Sequence, residues 1–324
     1  MTRTADPSPA DAVTPEQAAR FAAALDRLLP QGGRPGLAVS GGPDSLAMLL
    51  LAQAAIPGGF EVATVDHGLR PEAQEEAAFV AATCAAIGVP CEVLEVDVGP
   101  GNKQQSARLA RYAVLTGWAE RRGLAAIVTA HHADDQAETL LMRLNRGSGV
   151  AGLAGVRERG FAPGGEMPLV RPLLEWRRAE LAGIVAQAGL VPVDDPSNLD
   201  PRFDRARLRV ELAGADWLDP AAIARSAAHL AEADEVLQWL TDAEWDACVA
   251  IDAGGLRYRP SVPRAVVLRV VERIIGGFGG RPRGGDVARL VDELYAGRGG
   301  NVGGVQARCE EGEWVFRPEP ARRA

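Results

Sequence analysis

Between residues 36 and 132, short apolar runs alternate with stretches whose apolar positions recur at helical spacing. That alternation predicts strand, helix, strand repeats, the pattern of a parallel sheet covered on both faces. Strands are expected over 37–40, 61–66, 92–97 and 126–130, with a short edge strand near 169–173 and helices in the intervals. After Arg177 the pattern turns helical through Trp239. The glycine-rich end, 297–318, then alternates through Val302, Val305, Trp314, Val315 and Phe316, which predicts a hairpin. The expected fold class is α/β: a parallel doubly wound sheet with a smaller, mainly helical C-terminal domain. A flexible tail over 1–20, a first domain over 21–214 and a small helical domain over 215–324 complete the expectation. The second boundary lies near Gly214, where an arginine-dense stretch gives way to acidic helix.

Ligands of such sheets gather beyond the carboxyl ends of the strands. The expected strand ends bring Ser40-Gly41, Asp66-His67, the segment 99–105 and His131-His132 to one rim. The first of them is the most specific. An apolar run, Leu37-Ala38-Val39, stops at Ser40-Gly41-Gly42-Pro43-Asp44-Ser45 and continues into the aliphatic Leu46 to Leu50. A strand, tight turn and helix in that order point backbone N–H groups at an anion, and two glycines let the chain approach oxygen atoms closely. Asp44 would be repelled by a bare phosphate, so Mg²⁺ is expected between them. A Walker loop is excluded, because it needs a lysine after its glycines and Lys103 is the only lysine in the chain.

The second cluster is Thr129-Ala130-His131-His132-Ala133-Asp134-Asp135-Gln136-Ala137-Glu138-Thr139. Asp135 and Glu138 are three apart, and Asp134 and Glu138 four apart, so their side chains share one helical face. Carboxylates at a helix start can also be plain caps. Adjacent histidines invite a metal reading, but on an extended strand they point to opposite sides, which argues against a two-histidine zinc site. Downstream, Arg143 and Arg146 face either RNA or solvent.

At 324 residues the chain suits two domains. The net charge of −8 conceals an uneven distribution: residues 256–324 carry 13 arginines against 8 acids and residues 140–210 carry 11 against 8. A basic face suited to phosphate contact follows from those two segments. Cys84, Cys91, Cys248 and Cys309 form no C-x-x-C pair, which argues against a cluster or a disulfide framework and fits a reducing cytoplasm. The longest charge-free stretch, 46–60, is broken by Pro57-Gly58-Gly59 and falls short of a membrane span.

Ser40-Gly41-Gly42-Pro43-Asp44-Ser45 resembles the SGGxDS loop of the ATP pyrophosphatases that adenylate a carbonyl oxygen. Further motifs narrow the branch: Val65-Asp66-His67-Gly68-Leu69-Arg70, Ser106-Ala107-Arg108 with Arg111-Tyr112, the histidine and acid cluster, Arg171-Pro172-Leu173-Leu174, and Asp195-Pro196-Ser197-Asn198. In that order, over about residues 36–210, they resemble the tRNA(Ile)-lysidine synthetase family. The resemblance implies adenylation of O2 of the wobble cytidine in a tRNA(Ile) with a CAU anticodon, then attack at C2 by the side-chain amine of free L-lysine. AMP and pyrophosphate leave.

ATP and Mg²⁺ are the implied cofactors, with Ser40, Gly41, Gly42, Pro43, Asp44 and Ser45 on the phosphates and His67 and Arg70 beside the nucleotide. Asp44 and Asp134 are the implied metal ligands. Asp135 and Glu138 would hold lysine with Arg111 nearby, and His131 is the candidate either for the base or for contact with the activated intermediate. Arg143, Arg146, Arg205, Arg207 and Arg209 are the implied RNA contacts. The implied setting is cytoplasmic, without a membrane, and a homodimer is left open. One departure stands out: the family's Arg-Asn-Arg run reads Arg205-Ala206-Arg207 here. A tRNA thiolase and an ammonia-dependent amidating synthetase share the loop and are the rival readings.

Overall fold

The computed structural model describes residues 9–66, 68, 72–96, 103–193, 204–215, 217–252 and 254–319. The chain divides into two compact units, Met1–Ala231 and Glu232–Ala324, so the boundary expected near Gly214 lies inside the first unit. Its elements are α1 (Pro15–Leu28), β1 (Pro35–Ala38), α2 (Pro43–Ala55), β2 (Glu61–Asp66), α3 (Glu72–Ala86), β3 (Cys91–Glu95), α4 (Lys103–Arg121), β4 (Ala126–Val128), α5 (Ala133–Leu144), α6 (Val150–Leu153), β5 (Arg159–Phe161), β6 (Pro168–Val170), α7 (Arg178–Gln187) and α8 (Asp204–Ala213). Helix α9 (Pro220–Cys248) contains the division.

The expected tail over 1–20 needs correction, because residues from Pro15 onward are helical. Thr14 and Gln17 form a reciprocal capping box, Pro15 supplies a pre-set φ at the first turn, and Phe21, Leu25 and Leu28 are buried.

The six-stranded sheet has the order β3-β2-β1-β4-β6-β5. Every pairing is parallel except β5 with β6, a three-residue edge too short to read from alternation. The chain runs outward from β1 through β2 to β3, then returns to place β4 on the other side of β1. That reversal opens a crevice beyond the carboxyl ends of β1 and β4, where α/β sheets bind ligands. Both faces of the sheet are covered. Leu46 to Ala52 of α2 are fully buried among residues of α1, α7 and the strands. Tyr112, Leu115, Trp118 and Ala119 of α4 build a separate cluster with Leu94, Ile127 and Leu169.

In the second unit, α10 (Arg264–Gly277) and α11 (Gly284–Tyr295) share a core with five strands: β7 (Val249–Asp252), β8 (Gly255–Tyr258), β9 (Gly300–Val302), β10 (Val305–Glu310) and β11 (Glu313–Pro318). The sheet is antiparallel in the order β7-β8-β11-β10-β9, so the expected hairpin is the β10-β11 pair within a larger sheet. Its two-residue turn, Glu311-Gly312, has φ of 51° and 84°, the mirror-image turn geometry that matches strand twist. No described helix is long and apolar enough to cross a membrane.

Candidate active site

The loop between β1 and α2 is built by its own small residues. Ser40 N–H donates to Ser45 Oγ at 3.1 Å, and Ser45 Oγ donates to Gly42 O at 3.0 Å, so one serine braces both sides of the turn. Gly41 has φ +84°, and a Cβ there would stand 3.1 Å from Val193 Cγ2 and 3.3 Å from Val80 Cγ2. Gly42 begins α2 without a side chain to cap it, and Pro43 takes the first helical position. The N-terminal donors of a buried 13-residue helix are thereby left to an anion.

Directly across the crevice, His132 caps α5. Its Nδ1 accepts from Asp135 N at 3.3 Å, and Asp135 Oδ2 accepts from His132 N at 3.2 Å. His132 is fully buried, and its Nε2 lies 3.3 Å from Asp44 Oδ2 and 3.5 Å from Asp135 Oδ2. Burial alone would lower its proton affinity, but the nearby carboxylates of Asp44 and Asp135 outweigh it and raise the pKa. This imidazole joins the phosphate loop to the acidic cluster. Sequence reasoning missed that role and singled out His131; the overlooked signal was the His-x-x-Asp spacing of a capping box.

Asp135 and Glu138 lie on one face of α5 as expected, and both are engaged by arginines. Arg205 donates from Nε to Glu138 Oε2 and from Nη2 to Asp135 Oδ1, each at 2.6 Å. Arg209 donates to Glu138 from Nε at 2.8 Å and from Nη2 at 3.2 Å, and Arg178 Nη2 reaches Oε1 at 3.4 Å. Glu138 is 2% exposed. Burial pushes its carboxyl up, yet the bonds from Arg209 and Arg205 more than offset that and hold it below the ordinary glutamate range.

Three further residues have partners that the sequence did not indicate. Asp134, expected to bind metal, accepts from Arg177 Nε and Nη2 at 3.2 Å and from Arg178 N at 2.8 Å, so its carboxylate clasps the start of α7. Arg143, expected to contact RNA, donates to the carbonyls of Gly152 at 2.6 Å and Gly155 at 3.0 Å, closing the short helix α6. His131 is pushed down to about 3 by burial and by the charges of Arg171, Arg205, Arg108 and Arg111, which makes it a neutral imidazole and a poor proton acceptor near pH 7. Its Nδ1 sits 3.0 Å from Thr129 Oγ1.

Arg111 therefore belongs to an arginine group on the His131 side, stacked with Arg108 on the Tyr112 ring at 5.4 and 5.2 Å. Of the remaining RNA candidates, Arg205 and Arg209 point inward to the acids. Arg146 and Arg207 are exposed and flank Asp204, at 3.3 and 2.5 Å. Ala206 is buried. His67, Arg70 and the segment 195–198 lie outside the described residues.

Asp44 Oδ1 is buried and has no hydrogen-bond partner, which fits a cation at that oxygen. Among the described residues no group of three or more histidine, cysteine or acidic side chains is arranged around a metal position. Asp44 Oδ1 is thus the oxygen at this turn suited to a cation.

A family described as a PP-loop domain matches residues 15–215. The tRNA(Ile)-lysidine synthase of Novosphingobium aromaticivorans is 49% identical over 312 residues, covering 95% of each chain. That of Zymomonas mobilis is 40% identical over 305 residues, covering 91% of this chain and 92% of its own. Among solved structures, the U34-tRNA thiolase NcsA from Methanococcus maripaludis, with its [4Fe-4S] cluster, superimposes with a TM-score of 0.54 at 16% identity, over 67% of this chain and 78% of that one. That likeness carries the fold alone, whereas the lysidine synthases match nearly end to end across both the phosphate loop and the acidic cluster. The chain belongs to the tRNA(Ile)-lysidine synthase family of PP-loop proteins.

Proposed function

We propose that this protein ligates L-lysine to C2 of the wobble cytidine of tRNA(Ile) bearing a CAU anticodon, using ATP and releasing AMP and pyrophosphate. The observation that carries the reading is the facing of two chemistries across one crevice: a phosphate-type helix N-terminus at 41–45 and the acids Asp135 and Glu138, joined through His132. A cytidine carbonyl oxygen has no leaving ability of its own, so a phosphate loop must first convert it into one. Ser40, Gly41, Gly42 and Ser45 would receive the phosphates, and Asp44 Oδ1 would hold Mg²⁺, which would supply neutralisation of phosphate charge.

Asp135 and Glu138 then present the lysine amine. Free lysine titrates near 10.4, so deprotonation at pH 7 costs about 4.6 kcal/mol, and bare carboxylates would raise that cost. In the lysine-free site Arg205 and Arg209 neutralise these acids, the balance that an incoming ammonium would restore. The neutral His131, with Arg111 and Arg108 beside it, suits contact with the activated cytidine rather than proton storage. Arg146 and Arg207 are placed to meet tRNA phosphates. The reaction belongs in the cytoplasm, and the reading needs no second copy of the chain.

A thiolase needs a cysteine pair to carry sulfur or bind a cluster, and Cys84, Cys91, Cys248 and Cys309 form no C-x-x-C pair. Nucleoside analysis of tRNA(Ile) incubated with enzyme, ATP and lysine tests the reading. Lysidine should form only when all three are present. Pyrophosphate release without tRNA would point instead to an amidating synthetase acting on a small molecule.

A further inference from the structure

Glu138 is almost inaccessible, yet it and Asp135 are the acids that a cationic substrate must reach. Arg205, Arg209 and Arg178 all reach Glu138, and Arg205 also reaches Asp135, its guanidinium forking across both carboxylates with two bonds of 2.6 Å. A cation bridging these two groups is the arrangement that an incoming ammonium would adopt. We propose that Arg205 is an internal occupant of the lysine pocket, and that tRNA admits lysine by drawing Arg205 and Arg209 off the acids. The inference rests on the reading above that Asp135 and Glu138 bind lysine.

The construction of α8 supports a movable clasp. Arg205 and Arg209 are one turn apart and face α5, Ala206 is the buried contact beside them, and Arg207 is 60% exposed on the outer side. The helix therefore carries inward cations that neutralise acids and an outward cation that a polyanion meets first. Guanidinium groups serve carboxylate and phosphate equally well, so tRNA phosphates compete directly for what the acids now hold.

The neighbouring clasp of Arg177 on Asp134 is different in kind. There a backbone N–H of α7 donates to the same carboxylate at 2.8 Å, so removing the side chain would not free the acid. Among the described residues, the bonds from α8 to Asp135 and Glu138 come from the side chains of Arg205 and Arg209 and not from its main chain.

Occupancy by Arg205 lowers apparent lysine affinity by the fraction of time the pocket stands open, about tenfold for a clasp open one-tenth of the time. Linkage then requires lysine and tRNA to strengthen each other by the same factor.

Titration calorimetry of L-lysine into the full chain, without ATP, tests this. Wild type should bind lysine about tenfold more tightly in the presence of a tRNA(Ile) transcript. Arg205→Ala should bind lysine tightly without tRNA and lose most of that tRNA dependence, whereas a merely structural arginine would produce no gain. Arg205→Lys, whose ammonium cannot fork across two acids, should fall between and keeps the test open if the alanine variant unfolds. Unchanged or weaker lysine binding in both variants, with Glu138→Gln still abolishing it, would overturn the clasp and leave the lysine site standing. Wild-type affinity in Glu138→Gln would remove the lysine site and the clasp together. No tRNA dependence in wild type would also overturn the clasp.

Discussion

Glu61 and Glu138 are both buried glutamates held by arginines, but they stand at opposite ends of the same sheet. Glu61 opens β2 and accepts from Arg122 Nε at 2.7 Å and Nη2 at 3.0 Å, with Arg34 Nη2 at 2.6 Å. Arg34 directly precedes β1 and Arg122 follows α4, so this cluster ties together segments at the amino ends of the strands. Glu138 lies at the carboxyl rim, beside the strand reversal and the phosphate loop. The local chemistry is nearly the same, and a shifted carboxylate would flag either residue. Position relative to the switch point separates the pin from the pocket.

The largest effect that sharpens this contrast lies at the rim. Asp44→Asn should reduce pyrophosphate release and lysine incorporation together by about a thousandfold, read in a coupled pyrophosphate assay and by labelled lysine, because the anionic oxygen that would hold a cation against the reacting phosphates is removed. A loss confined to one readout would break the assignment. Next, Glu61→Gln should lower the thermal midpoint by about 5 °C, since it strips the charge from a paired buried acid. The KM for lysine should not move. If it did, the two ends of the sheet would not be independent.

Acid should act on both sites in the same direction. Arg122's hydrogen bond, working against burial, holds the Glu61 carboxyl below its usual range, and Glu138 is lowered as well. A group with a lowered folded pKa contributes stability above its unfolded value, about 4.3 for glutamate, and loses it as pH falls through the folded value. Urea denaturation should therefore show stability falling below about pH 4, more gently in Glu61→Gln than in wild type. The smallest effect belongs to the surface. Arg146→Ala and Arg207→Ala should each weaken tRNA binding a few-fold and reduce the salt slope by about one, in filter-binding titrations across salt concentrations.

The phosphate loop was legible because its glycines and serines are demanded by backbone geometry, which sequence encodes locally. The sheet was legible through alternation, and β2 matches its expected bounds of 61–66. Partners of charged groups were not. Nothing in the spacing of Arg205 and Arg209 tells whether they face phosphate outside or carboxylate inside, because both partners suit a guanidinium. The partners of Arg143 and Asp134 were hidden for the same reason: the carbonyls of Gly152 and Gly155 and the start of α7 come from elsewhere in the chain. His132 was overlooked although its cap is local, because the His-x-x-Asp spacing was read for its carboxylates alone. In the second unit, β7 and β8 are four residues each, and Ile251 of β7 is 91% exposed, so no burial pattern announced them.

The division of labour between the loop and the acids is tested most directly in Glu138→Gln, by following pyrophosphate and lysidine in the same reaction with tRNA(Ile), ATP and lysine. Pyrophosphate release should persist within a few-fold while lysidine disappears, leaving adenylated tRNA. Loss of both products in equal measure, in a variant that still melts cooperatively, would contradict the account.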